Sequence, residues 1–134
     1  MTREQMLDRM KDRNLNNQEL LGLMIEKWED IRDFLQNLPF PYLNTDQRGE
    51  LLNLDQGIYN CALCEAYFYG ESNLFRCDSC IIFNIKHLKR KRRCCYLTPL
   101  WLWTRYLTFT NSWRVKKLLY YANLELDFLN RLKT

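Results

Sequence analysis

Residues 16–41 read NNQELLGLMIEKWEDIRDFLQNLPFP, and the reading of this stretch sets the fold class. Leu21, Met24, Trp28, Ile31, Leu35 and Leu38 recur at alternating steps of three and four, which lines them along one face of an α-helix. Asn16-Asn17-Gln18-Glu19 has the form of a capping box, in which residues one and four satisfy each other's free amides. Pro39-Phe40-Pro41 stops the helix near Leu38, because proline lacks an amide proton and restricts the residue before it. Glu26, Lys27, Glu29, Asp30, Arg32 and Asp33 cover most of the opposite side. The seam runs for only about two and a half heptads, so it is expected to pack within a domain and not as a coiled coil.

Working outward, the same grammar recurs. Thr2-Arg3-Glu4-Gln5 offers a capping box for a short helix to about Asp12, with Met6, Leu7 and Met10 on one side. Thr45 to Leu54 reads as a third short, acidic helix. Beyond the middle of the chain, Thr98-Pro99 places a cap and a first-turn proline before Leu100, Trp101, Trp103 and Leu107. Asn111-Ser112 then opens a last helix to about Leu132, whose buried face is expected to hold Trp113, Leu118, Leu119, Ala122, Leu126 and Leu129. The chain of 134 residues has 4 Gly and 3 Pro, too few for the many turns of a sandwich or barrel. No stretch reaches the roughly 18 uninterrupted apolar residues of a membrane span. Met1 to Arg13 alternates charges and has no apolar signal core, which predicts an intracellular, cytoplasmic setting with reduced thiols.

Between the helical regions lie Cys61-Ala62-Leu63-Cys64 and Cys77-Asp78-Ser79-Cys80. Two such steps at this interval can close a tetrahedron of thiolates around Zn²⁺. The expected metal ligands are Cys61, Cys64, Cys77 and Cys80. Cys94 or Cys95 can substitute for a member of the quartet, and so can His87, the single histidine. Four thiolates leave no open coordination position, so the site is expected to be structural. The expected architecture is mainly α, about five helices with this module inserted between N-terminal and C-terminal helices. Residues 1–57 form an acidic helical region, 58–97 the cysteine module with its basic loop, and 98–134 aromatic-rich helices, all in one compact domain.

Charge is unevenly divided. The net charge of +4 conceals an acidic first half and a basic second half. Lys86, Lys89, Arg90, Lys91, Arg92 and Arg93 form the densest run, and Arg105, Arg114, Lys116 and Lys117 can extend it. Beside a zinc module, such a run suits either phosphates or an acidic protein surface. Tyr96, Trp101, Trp103 and Trp113 can stack on bases wherever they are exposed. No glycine-rich phosphate loop and no paired carboxylates at metal spacing are present, and catalysis is not expected.

Asn60-Cys61-Ala62-Leu63-Cys64-Glu65, Cys77-Asp78-Ser79-Cys80-Ile81-Ile82 and Cys95-Tyr96-Leu97-Thr98-Pro99-Leu100 with Trp103 resemble small cysteine-rich, zinc-binding accessory proteins of bacteriophages. The resemblance spans about residues 20–130 and implies zinc binding, an upstream helix bearing a tryptophan, here Trp28, and an apolar C-terminal helix. The chain departs from that group at Ile81, where Pro is frequent, and at the basic run, where the group has a short neutral loop. A phage setting implies the cytoplasm of an infected bacterium, where small accessory proteins bind host machines such as a polymerase, a nuclease or a defence complex. The expected function is therefore a non-catalytic, zinc-stabilised binding protein that modulates a host protein complex. Its contact surface is expected at residues 86–93 with neighbouring aromatics, or along the acidic long helix. The alternative is a nucleic-acid-binding transcriptional regulator using the same basic run. The expected state is a monomer or a dimer.

Overall fold

The computed structural model describes residues 1–11, 14–55, 62 and 99–133, and five α-helices lie among them. They are α1 (Arg3–Met10), α2 (Asn17–Gln36), α3 (Thr45–Asp55), α4 (Pro99–Phe109) and α5 (Val115–Leu132). Both expected capping boxes are formed. The Thr2 amide donates to the Gln5 side chain and the Gln5 amide to Thr2 Oγ1, while Asn16 and Glu19 reciprocate in the same way. A third box, Asn44 with Gln47, starts α3. The Asn-x-x-Gln spacing was present in the sequence as its signal.

The α2 helix is the axis of the body. Its seam residues Leu21, Met24, Trp28, Ile31 and Leu35 are all buried, as the periodicity predicts. Burial extends well beyond the seam, because Leu20, Leu23 and Ile25 are covered too. The largest contact surface of α2 is with α5, and α4 packs against α5 from outside while α3 packs on α2. The Gln18 amide reaches the Leu132 carbonyl at 3.4 Å, so the start of α2 meets the end of α5 and the pair runs antiparallel. On the other side α1 inserts Met6, and Arg9 pairs with both oxygens of Glu26 at 3.3 and 2.9 Å. That pair is half exposed and contributes at most about 1 kcal/mol.

Lys27 departs from the sequence reading, which put it on the polar face. It is 2% exposed, with Nζ 3.5 Å from Asp55 Oδ1 and 5.4 Å from the centre of the Trp28 ring. Asp55, the last residue of α3, is also buried, and its Oδ2 accepts a 2.8 Å hydrogen bond from Trp103 Nε1 of α4. The Trp103 ring stands edge-on to Trp28, with centroids 5.1 Å apart at 86°. One carboxylate thus joins α2, α3 and α4 at a single point. A lysine inside a helix can be buried only where such a counter-charge waits, and helical periodicity cannot show a partner 28 positions away.

The linkers differ from expectation in one more place. Residues 111–114 are not helical: Trp113 is buried from a loop, and α5 begins at Val115. The reason is a backbone pairing with the linker after α2. The Leu43 amide donates to the Trp113 carbonyl at 3.0 Å and the Val115 amide to the Pro41 carbonyl at 2.9 Å, which sets Tyr42 opposite Arg114 in an antiparallel bridge. These ladder bonds would be lost if 111–114 continued the helix.

Two stability predictions follow from this packing. Asp55→Ala strands the Lys27 ammonium and the Trp103 N–H in the interior, and should cost about 3–5 kcal/mol in urea denaturation. The double variant Lys27→Met/Asp55→Asn removes both charges while keeping volume, and should recover most of that loss. Gly22 in α2 and Gly49 in α3 have nothing within 4 Å of where a Cβ would sit. Each Gly→Ala replacement should therefore stabilise by about 0.5–1 kcal/mol through helix propensity, read as a higher urea midpoint with unchanged slope.

Candidate functional site

The cysteine ligands Cys61, Cys64, Cys77 and Cys80, their substitutes Cys94, Cys95 and His87, and the basic run from Lys86 to Arg93 lie outside the described residues. Among the described residues no group of three or more His, Cys, Asp or Glu is arranged to hold a metal ion. Of the two positions between the first two cysteines, Ala62 is described. Ala62 is fully buried, and its amide donates to Met24 Sδ of α2 at 3.2 Å. The chain of the cysteine segment therefore touches the central helix at its first step. At its far end the segment leads directly into α4 at Pro99.

The aromatic residues nominated for stacking divide sharply. Trp103 has no exposed surface and Trp113 is buried under the Arg48 guanidinium, 4.9 Å from its ring centre. Both belong to the core and offer no face to a base, while Tyr96 lies outside the described residues. Their indole N–H groups are engaged, Trp103 with Asp55 and Trp113 with the Thr110 carbonyl at 3.1 Å. Trp101 is on the opposite side of α4 and is exposed, together with Leu102 and Phe109, the latter 78% exposed. At about 100° per residue these three fall with Arg105 within one quarter to one third of the helix circumference. The most apolar helix of the body thus turns an aromatic stripe outward.

The acidic face of α2, the other nominated contact surface, is mostly occupied within the chain. Glu26 pairs with Arg9, Asp30 with the Met1 amino group, and Asp33 with Arg32.

A second surface forms where the bridge joins the two linkers. Pro41, Tyr42, Arg114, Lys116, Lys117 and Tyr120 line an open groove of about 600 Å³. Each is placed by local structure. Pro41 and Tyr42 are held by the bridge, and Tyr42 and Arg114 are a pair whose ladder bonds are made by their neighbours, the geometry that brings opposed side chains closest. The Arg114 guanidinium accordingly lies 5.7 Å from the Tyr42 ring centre. Arg114's own amide donates to the Tyr106 hydroxyl of α4 at 3.0 Å. In the first turn of α5, Lys117 sits 5.9 Å from the Tyr120 ring and 5.4 Å from Tyr121, and Tyr121 packs on Tyr106.

The electrostatics of this groove are one-sided. Among the described residues none of Arg114, Lys116 and Lys117 pairs with a carboxylate. They stand at the first turn of α5, which has no acidic residue and no side-chain cap. The first turn carries the positive end of the helix dipole, so each cation here costs a few tenths of a kcal/mol at low salt instead of contributing. Sequence inspection marked the cations. It missed Tyr42 and Tyr120, because only the bridge between residues about 70 apart brings them to one groove.

Among the described residues no helix is long and apolar enough to cross a membrane. No protein-family model, curated protein sequence or solved structure matches the chain significantly.

Proposed function

We infer that the protein is a non-catalytic, zinc-stabilised binding protein, an accessory factor of the bacteriophage kind that engages and modulates a host protein complex. The observation that carries this reading is the outward stripe of α4, Trp101, Leu102 and Phe109 beside Arg105. Aromatic and arginine side chains dominate the centres of protein interfaces, and a row of them on one helix face is the form an anchor takes. The buried charges support a non-catalytic role, since Lys27 and Asp55 are engaged in holding helices together. Structural zinc bound by Cys61, Cys64, Cys77 and Cys80 fits the donor set, four soft thiolates in two paired steps that fill a tetrahedron. Ala62, between the first two cysteines, is docked on α2, and the residue after the segment is Pro99, where α4 begins.

The reading is tested by recovering partners from infected cells and then measuring binding with purified components. The protein carrying Trp101→Ala, Leu102→Ser and Phe109→Ser should retain its helical content and lose at least about tenfold in partner affinity. Equal affinity of the triple variant overturns the assignment of α4. Zinc is tested separately by elemental analysis, with one zinc per chain expected. Cys61→Ser/Cys64→Ser should abolish metal retention and lower the thermal midpoint, because structural zinc contributes folding free energy directly. A purified native protein without metal overturns the zinc assignment.

A further inference from the structure

We propose that the groove between Tyr42 and Tyr120 is a binding site for single-stranded nucleic acid, with phosphodiester groups against Arg114, Lys116 and Lys117 and bases on the two tyrosine rings. The site is separate from the α4 stripe and does not depend on the protein-partner reading. The first argument is charge. The groove holds three cations and no carboxylate, and those cations find no acidic partner among the described residues. From Ser79 to Leu124 the sequence contains ten Lys or Arg and no Asp or Glu. A long carboxylate-free segment keeps the cations of the groove unneutralised and adds a long-range field that attracts polyanions. A phosphodiester at the groove would also offset the repulsion that the first turn of α5 carries.

The second argument is the rings. Tyr42 is 47% exposed and Tyr120 is 56% exposed, both at the lip of the groove and both flanked by a cation. A tyrosine ring has two faces, and the cation occupies one. Tyr121 adjoins the Tyr120 ring at a tilt of 59° with centroids 5.5 Å apart, and more than half of the Tyr120 side chain still faces solvent. An exposed aromatic ring beside cations that track a backbone is the combination by which proteins hold unpaired bases. A duplex keeps its base faces stacked internally and offers them nothing. An acidic peptide would satisfy the cations and leave the rings without a purpose. A single strand satisfies both halves of the groove, and this decides between the partners. Recognition of this kind is tolerant of sequence, because every base has a π-face.

Fluorescence anisotropy with a labelled oligo-dT or oligo-U of about 20 nucleotides, titrated with the full-length protein at two or more salt concentrations, tests the site. Binding should weaken steeply with salt. Replacing Lys116 and Lys117 together by Ala should reduce the magnitude of the slope of log K against log salt by about 1.4, at about 0.7 per phosphate contact on a single strand. Tyr42→Ala and Tyr120→Ala should each weaken binding by about 5- to 100-fold with the slope nearly unchanged, the signature of lost stacking. All four positions are exposed, and circular dichroism checks that each variant keeps its helices. The α4 triple variant should bind the oligonucleotide as the native protein does, so this site and the protein-partner surface succeed or fail independently. Native affinity in the Tyr42 and Tyr120 variants overturns the proposal. So does displacement of the strand by polyglutamate at equal charge concentration, which would make the groove a site for acidic protein. Binding that disappears with Arg90→Ala/Arg92→Ala/Arg93→Ala yet ignores the tyrosines assigns the strand to the basic run and likewise overturns it.

Discussion

The Asp55 carboxylate is the constraint on which the helical body depends. It closes α3, neutralises a lysine inside α2 and receives the indole of α4, while the two tryptophans it organises fill the space between the helices. An interior charge pair is a modest source of net stability, since desolvation offsets most of the attraction. Its effect is on arrangement. Alternative packings of amphipathic helices would leave Lys27 or Asp55 facing hydrocarbon, and those packings are excluded by several kcal/mol. A hydrophobic seam alone would tolerate slippage of α3 and α4 along α2, and this junction does not.

The body separates its surfaces by chemical character. The acids of α2 are largely paired inside the chain, α4 turns apolar rings outward, and the joint between the two linkers gathers cations and tyrosines. The first two belong to single helices, whereas the third is assembled from distant segments. Arg114 is held by a hydroxyl from α4 and a strand-like contact from the α2–α3 linker, so the groove exists only in the folded chain. Exposed cations with no carboxylate partner among the described residues, at the end of a helix that disfavours them, are the kind of local conflict that binding resolves.

The helices were readable from sequence because their signals are local. Capping boxes at Thr2 and Asn16, the three-four spacing of α2 and the proline that opens α4 all act within one or two turns. What was not readable has partners far along the chain. Lys27 looked like a solvated residue because Asp55 lies in another helix. Trp113 is buried as expected but from a loop, and the Asp55 acceptor of Trp103 comes from another helix and leaves no local mark. Residues 111–114 looked helical because the competing ladder bonds come from residues 41 and 43. For the candidate sites the same division holds: the basic character of the second half was plain in the composition, and the tyrosines that shape the groove were not.

The hydrogen bond between Trp103 and Asp55 spans 48 positions, and Ala62 is docked on Met24 just after the chain leaves α3. The last residue of α3 and the first turns of α4 are thus fixed side by side across a long stretch of sequence. Closing so long a loop costs conformational entropy before the contact returns any energy. Contacts of this separation form late in folding, after helices whose bonds are local. The Asp55 junction should therefore be among the last parts of the body to form, although the native arrangement is built around it.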